Sequence, residues 1–273
     1  MPARNYIEVV EKAFRILEAL AAADRPLGLA EISTRTGLVK STAFRLLYTL
    51  RELGYVEREA VGGAYSLHFR VLSLADSVRS KATLTRIARP HLVALRDELD
   101  ESAWLAERRP TGVYFVDVIE AHHPLRLLLK LGDVCPIHAG AAGKAVAAFL
   151  EEVEIARLAA VLGFPKFTGK TIGSLEALLA HLAGVRRRGY AVNDEETVEG
   201  GIALGAPLFD AAGEVIGAIS VTAPTTRWKS GKLELTGRHI REIAGRISTD
   251  LRSVAYRYRW PAPIDNPDGA GIR

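Results

Sequence analysis

The sequence predicts an α+β protein of two domains, and three observations lead to this prediction. The chain has 273 residues, which is long for one compact domain. Its first part combines helical apolar spacing with a short hairpin pattern, whereas groups of strands and helices follow Glu101. The predicted boundaries are 1–69 for the N-terminal domain, 70–83 for a linker helix, 84–258 for the second domain and 259–273 for a disordered tail.

Three helices are predicted in the N-terminal domain, at Ile7–Ala22, Leu29–Thr36 and Lys40–Leu53. Gly37 and Gly54 end the second and third of these, since glycine commonly follows the last turn of a helix. In the first helix the apolar residues recur at helical spacing: Val10, Ala13, Phe14, Leu17, Leu20 and Ala21. The short connection between the second and third helices is typical of a helix-turn-helix.

A short hairpin follows the third helix. The stretches Tyr55–Arg58 and Ala64–Leu67 read as strands joined by a turn at Gly62-Gly63. With Arg58 near its tip, this hairpin is expected to lie along a DNA backbone as a wing.

The third helix has two opposite stripes. One is apolar and is expected to pack on the first two helices: Ala43, Leu46, Leu47, Leu50 and Leu53. The other is short, hydroxyl-rich and basic, as a helix that enters the major groove requires. We therefore predict DNA contacts from Lys40, Ser41, Thr42, Arg45, Tyr48 and Thr49, together with Arg58 of the hairpin. The alternative from the residues alone is a solvated basic face that binds nothing.

Composition narrows the class of protein. The formal net charge of +4 is only a mild indication of affinity for polyanions. One cysteine, Cys135, excludes an internal disulfide and fits a reducing compartment. No apolar run is long enough for a membrane span, and the N-terminus does not resemble a secretory signal. We expect a cytoplasmic protein with no membrane partner.

The second domain is predicted to hold a mainly antiparallel sheet with helices packed at one side. The predicted strands are Ala103–Arg108, Val113–Ile119, Leu125–Leu131, Ile202–Phe209 and Val215–Thr222. The predicted helices are Leu84–Leu99, Gly143–Leu150, Glu152–Val161, Ser174–Arg188 and Lys232–Tyr256.

Three blocks of the chain, in order, resemble the IclR family of bacterial transcriptional regulators. They are GLAEISTRTGLVKSTAFRLLYTLRELGYVER with GGAYSL, then CPIHAGAAGKAVAAFL, then RRRGYAVNDEETVEGGIALGAPLFDAAGEVIGAISVTAP. The resemblance implies a winged helix-turn-helix followed by a GAF-like α/β effector-binding domain. It also implies a homodimer or a dimer-of-dimers tetramer that binds operator DNA and a small organic acid.

The stretch HAGAAGKA is the candidate ligand loop. Small residues at a helix start leave backbone N–H groups accessible at the positive end of the helix dipole, an arrangement that can hold a carboxylate. The alternative is a tight loop packed on the sheet. The resemblance favours a pocket, and it implies that the following residues line it: Gly140, Ala141, Ala142, Asn193, Ala203, Ser220 and Thr222.

Four positions depart from patterns that are common in the family. Asn193 stands where an aspartate is frequent, Ala203 where a cysteine is frequent, and Thr222 where a serine is frequent. His68 replaces the glycine that usually follows the hairpin. An amide in place of a carboxylate removes a negative charge, which makes the pocket more tolerant of an anionic ligand.

No catalytic, metal or cofactor site is predicted. Cys135 has no second cysteine to resolve an oxidised thiol, and His122, His123 and His138 lack the spacing of metal ligands. The three adjacent acids 194–196 are interpreted as a solvated face. The hypothesis is a ligand-responsive DNA-binding regulator; the rivals are a GAF-like thiol enzyme and a purely architectural DNA binder.

Overall fold

A computed structural model describes residues 6–74, 83–123, 129–228 and 230–257. These residues divide into two compact units. One unit contains the described residues up to 74, and the other contains those from Thr83 onward.

The first unit contains three complete helices and a two-stranded hairpin, as predicted, and its last described residues, 70–74, are helical as well. Its elements are α1 (Glu8–Ala21), α2 (Leu29–Thr36), α3 (Lys40–Glu52), β1 (Val56–Arg58) and β2 (Tyr65–Leu67). The strands pair antiparallel, with Val56 opposite Leu67. Gly37, in the left-handed conformation, ends α2 and starts the turn into α3.

One apolar core holds this unit together. It includes Ile16 and Leu20 from α1, Ile32 from α2, and Leu47 and Leu50 from α3. Each of these side chains is largely or completely removed from water, which is the main favourable contribution to folding. The core orients α3 so that its opposite face is exposed.

Three large apolar residues of the predicted helical stripes are exposed. Val10 and Phe14 of α1 are 50% and 59% exposed, since α1 turns Ile16 and Leu20 toward the core instead. Leu53 is 53% exposed because it lies beyond the last residue of α3, at the C-cap. An apolar side face of α1 is therefore left uncovered by the part of the chain that the structure describes.

The second unit is built on a five-stranded antiparallel sheet with the order β4-β3-β7-β6-β5. The strands are β3 (Ser102–Arg109), β4 (Gly112–Ile119), β5 (Ala191–Asp194), β6 (Gly201–Phe209) and β7 (Val215–Pro224). The helices are α4 (Thr83–Leu99), α5 (Ala141–Ala147), α6 (Glu152–Leu162), α7 (Leu175–Arg188) and α8 (Ser230–Ser253).

Helices cover both faces of this sheet, so the predicted placement on one side is wrong. Leu92 of α4 and Ile247 of α8 belong to the core on one face. Val146 of α5, Leu158 of α6 and Leu182 of α7 belong to the core on the other. The physical reason is that the central strands β6 and β7 are buried along almost their whole length, and a strand buried on both faces needs two covering layers.

Other differences from the predicted elements are local. The short edge strand β5 was not predicted, and α5 begins at Ala141, two residues earlier than expected. Residues 125–128 of one predicted strand lie outside the described residues, and 129–131 are not in a strand. Residues 75–82 of the predicted linker, and the tail 259–273, also lie outside them. No helix in the described part of the chain is long and apolar enough to cross a membrane.

Candidate functional site

The second unit contains a cavity of about 560 Å³. All seven residues predicted from the sequence to line an effector pocket lie on its wall: Gly140, Ala141, Ala142, Asn193, Ala203, Ser220 and Thr222. Most of the remaining wall is apolar, with Phe115, Leu129, Val134, Phe167 and Val198 among its residues. The cavity is thus a mainly apolar space with a few polar groups, as is common in small-molecule sites.

Strand register brings the distant sequence positions together. Asn193 on β5 pairs with Ala203 on β6, and Ala203 pairs with Thr222 on β7. The three residues therefore form one row across three neighbouring strands. Ser220 lies two residues before Thr222, so it faces the same side of the sheet.

The start of α5 packs directly on the sheet at Gly205. A Cβ atom added to Gly205 would lie 2.8 Å from the carbonyl carbon of Ala141 and 2.9 Å from the nitrogen of Ala142. A side chain there would push α5 away from the sheet. The glycine thereby fixes the helix start as one wall of the cavity.

The glycines at the start of α5 are required by close packing. The sequence predicts instead that they leave backbone N–H groups accessible to a ligand. A Cβ atom at Gly140 would collide with Cys135 Sγ, and one at Gly143 would collide with the carbonyl oxygen of Pro136. The N–H of Gly140 donates to that same carbonyl oxygen at 2.8 Å, and the N–H of Gly143 donates to Cys135 Sγ at 3.1 Å. The N–H groups of both glycines are therefore occupied within the loop.

On three polar residues of the cavity wall, an acceptor oxygen is already hydrogen-bonded, and donor hydrogens remain. Thr222 Oγ1 accepts from Trp104 Nε1 at 3.3 Å, and Thr197 Oγ1 accepts from Asn193 Nδ2 at 2.7 Å. Asn193 Oδ1 accepts from the N–H of Glu196 at 2.8 Å, which fixes the orientation of the amide. Each hydroxyl still has its own hydrogen, and the amide has a second one. Such a wall complements a ligand that accepts hydrogen bonds.

A buried ion pair supports the loop that follows β5. Lys144 Nζ lies 2.5 Å from both carboxylate oxygens of Glu196, and Lys144 is fully buried. Burial is the main influence on both groups: it lowers the pKa of Lys144 and raises that of Glu196, against their mutual attraction. The interpretation of 194–196 as a solvated face is therefore wrong for Glu196, while Asp194 is exposed.

Two further titratable groups lie near this pair. Burial raises the pKa of Cys135 to about 12, so the thiol is protonated at neutral pH. Burial, and then the charges of Lys144 and Arg188, lower the pKa of His181 to about 4. Neither group has the environment of an activated nucleophile or a general base at neutral pH.

Most of the predicted DNA-contact residues are exposed on the first unit. On α3 the residues Lys40, Ser41, Arg45, Tyr48 and Thr49 are exposed, whereas Thr42 is half-buried. The hydroxyl of Thr49 donates to the carbonyl oxygen of Arg45 at 3.0 Å. Arg58 of β1 is exposed as well, with its guanidinium 5.4 Å from the ring centroid of Tyr65.

Sequence reasoning missed one exposed residue beside the predicted DNA contacts and two residues of the cavity wall. Phe44 is 47% exposed on α3 between the predicted contacts, although an aromatic residue is expected to be buried. Thr197 and Asp133 line the cavity but belong to loops whose position depends on the tertiary fold. The only sequence signal for Phe44 was its absence from the apolar stripe.

Comparison with known proteins agrees with this architecture. The family model described as "IclR helix-turn-helix domain" matches residues 9–60, and the one described as "Bacterial transcriptional regulator IclR C-terminal" matches residues 77–249. Together they match residues in both units.

Named relatives match along most of the chain. The probable transcriptional regulator SauR of Cupriavidus necator is 36% identical over 81% of this chain and 88% of its own length. The HTH-type transcriptional regulator KdgR of Escherichia coli is 30% identical over 90% of this chain and 93% of its own length. Both are named as transcriptional regulators.

Solved structures share the fold. The IclR of Thermotoga maritima superposes with a TM-score of 0.76 at 25% identity, over 90% of this chain and all of that one. An IclR homologue from Microbacterium hydrocarbonoxydans, crystallised with 4-hydroxybenzoate, superposes with a TM-score of 0.75 at 24% identity. The superposition covers 90% of this chain and 99% of that one. The chain therefore belongs to the IclR family of bacterial transcriptional regulators, which bind DNA through a helix-turn-helix domain.

Proposed function

We propose that the protein is a cytoplasmic regulator whose operator affinity is changed by a small organic acid bound in the cavity of the second unit. The observation that carries this proposal is the convergence of seven predicted residues on one cavity of about 560 Å³. A purely architectural DNA binder would have no use for such a cavity. The mechanism is linkage: a ligand that prefers one conformation shifts the protein toward it and changes its affinity for DNA.

The wall chemistry supports a carboxylate with an apolar body. Donor hydrogens remain on Thr197, Thr222 and Asn193, and a carboxylate offers only acceptors. The aromatic and aliphatic wall would contact the rest of the molecule. Asp133, which is exposed, opposes an anion electrostatically. A monocarboxylate of modest size fits this balance better than a dicarboxylate does.

For DNA, we propose that α3 enters the major groove and that the hairpin contacts the backbone. Arg45 is exposed at the centre of the outer face of α3 and would read a base edge. Lys40, Ser41, Thr42, Tyr48 and Thr49, with Arg58 of the hairpin, would contact phosphates or base edges.

We further propose that the protein binds DNA as a dimer, alone or within a tetramer. Val10 and Phe14 are exposed on one side of α1, together with Ile7 at its N-cap, which is 62% exposed. A large apolar side chain in water favours burial against a second copy. A two-fold dimer favours a pseudo-palindromic operator.

The effector proposal is tested on the full chain with a panel of aliphatic and aromatic carboxylates, including 4-hydroxybenzoate, and their neutral amides. A ligand at 100 times its Kd stabilises the native state by about 2.7 kcal/mol, which a thermal unfolding experiment detects. Ala142→Leu fills the cavity and is expected to abolish the shift while leaving operator binding intact. Ala183→Leu, at an exposed position of α7, is the matched control.

Two outcomes would refute the proposal. Either no carboxylate shifts the unfolding temperature, or Ala142→Leu retains the full response.

The DNA assignment is tested separately by gel shift on the upstream DNA of the gene. Arg45→Ala is expected to weaken binding by about 1–3 kcal/mol and to relax specificity at one position. Unchanged operator affinity and salt dependence in Arg45→Ala would reject α3 as the recognition helix. Arg246→Ala is the control for the loss of one positive charge, since Arg246 is exposed on α8.

A further inference from the structure

A second pocket of the second unit lies between the end of α7 and the exposed side of α8. It has a volume of about 270 Å³ and is lined by Arg188, Tyr190, Glu234, Arg238 and Arg241. None of these residues lines the effector cavity. Three guanidinium groups thus share one small concave surface with a single carboxylate.

Two of the three guanidinium groups are held in place by neutral partners. Arg188 Nε donates to the carbonyl oxygen of Tyr190 at 2.7 Å, and its guanidinium carbon lies 5.3 Å from the centroid of the Tyr190 ring. Arg241 donates from one terminal nitrogen to the carbonyl oxygen of Arg188 at 3.2 Å. In both side chains other N–H groups remain for a ligand, since a guanidinium has five donor hydrogens.

The backbone is shaped to bring Arg241 into this position. Gly189 has a φ of +77°, and a Cβ atom there would lie 2.6 Å from Arg241 Cδ. A larger residue would be strained and would displace the arginine. Because Gly189 has no side chain, the Arg241 side chain can pack against the turn after α7 and donate to the carbonyl oxygen of Arg188.

The charges of the pocket are not balanced by the described residues. Glu234 pairs with Arg238 at one turn of separation along α8. Neither Arg188 nor Arg241 forms an ion pair with a described acid, and both are held beside each other despite their repulsion. A pocket with two surplus positive charges and fixed donor groups complements an anion of two negative charges.

We propose that this arginine pocket binds the phosphoryl group of a small molecule, at a site separate from the effector cavity. A phosphate offers several acceptor oxygens and carries nearly two negative charges at neutral pH. Its size suits a pocket of about 270 Å³. The same chemistry is present in inorganic phosphate and in a phosphomonoester, so the two sources are distinguished by experiment.

The test is titration calorimetry of the full chain with inorganic phosphate and with glycerol 3-phosphate, at constant ionic strength with chloride as the balancing anion. We expect saturable binding of at least one of them at one site per chain. The ligand that binds more tightly identifies the source. Arg188→Gln and Arg241→Gln are each expected to weaken binding by about tenfold or more, the loss expected for a charge-assisted contact.

Two variants separate binding at this pocket from general electrostatics. Arg246→Gln removes the same charge from an exposed position on α8 outside the pocket, and we expect it to leave the affinity unchanged. Glu234→Gln removes the competing carboxylate, and we expect it to strengthen binding, which a purely structural role would not explain. The proposal is wrong if neither ligand binds saturably, or if Arg246→Gln weakens binding as much as Arg241→Gln does.

Discussion

Lys144 Nζ contacts both carboxylate oxygens of Glu196 at 2.5 Å inside the protein, where no part of Lys144 is exposed. The contact joins α5 to the loop after β5. Thr197 and Val198 of that loop are walls of the cavity. Removing two charges from water is costly, so the pair is stable only while both members are present.

Loss of one member of this pair is expected to destabilise the protein strongly. Lys144→Met leaves Glu196 buried without its cation, and we expect the free energy of unfolding to fall by about 3–5 kcal/mol. Urea unfolding of the full chain measures this. Lys170→Met is the control, since Lys170 bridges Asp194 and Glu195 on the surface of the same loop and should contribute little. Equal losses for the two variants would contradict the structural role of the buried pair.

Acidification is expected to destabilise the protein through His181. Its pKa is lowered from the ordinary value of 6.5 to about 4, so the unfolded chain binds a proton before the folded chain does. Stability should therefore fall as the pH drops from about 6.5 to about 4, and this contribution should be constant at higher pH. Urea unfolding at several pH values in this range measures the free energy of unfolding. We expect it to fall less steeply with pH in His181→Gln than in the unsubstituted protein. His122→Gln, at an exposed position, should decline like the unsubstituted protein; identical curves for all three would refute the assignment.

The single thiol is expected to be unreactive in the folded protein. Cys135 is 1% exposed, and burial raises its pKa to about 12. Since the thiolate is the reactive form, iodoacetamide at pH 8 should label the native chain far more slowly than the chain in urea. Mass spectrometry measures the labelled fraction. Rapid, complete labelling without denaturant would show that the wall around Cys135 opens.

The charge of the cavity wall is expected to determine ligand preference. Asn193→Asp adds a carboxylate, and either oxygen can still accept from the N–H of Glu196. We expect the carboxylate identified by the panel to bind at least about tenfold more weakly to this variant, because like charges repel in a partly buried site. Its neutral amide should bind equally to both proteins. Equal weakening of acid and amide would indicate a steric cause instead.

Phe44 is expected to contact a thymine methyl group in the operator. It is 47% exposed beside Arg45 on α3, and aromatic side chains can read the methyl group of thymine in the major groove. Phe44→Ala should weaken operator binding by about 1 kcal/mol. Replacing thymine with uracil should weaken binding of the unsubstituted protein similarly and have little effect on the variant. Equal sensitivity of both proteins to uracil would exclude the contact.

Much of the architecture was predictable from local patterns. The three N-terminal helices and the hairpin lie where apolar spacing and glycine stops placed them, because those signals act over a few residues. The resemblance to the IclR family identified seven cavity residues, which lie on one wall. Their common location depends on register, with Asn193, Ala203 and Thr222 in one row.

The sequence by itself determined the class of protein, the helix-turn-helix and the set of small and hydroxyl residues around the cavity. Tertiary structure decided how those groups are used, because packing sets which donors are free. In the folded chain the N–H groups of Gly140 and Gly143 are already hydrogen-bonded, and Glu196 is buried against Lys144. Val10 and Phe14 are exposed. The Lys144–Glu196 pair joins residues 52 positions apart. The partners of the two glycine N–H groups and the exposure of Val10 and Phe14 likewise depend on how the chain packs in three dimensions, and local spacing carries no information about packing.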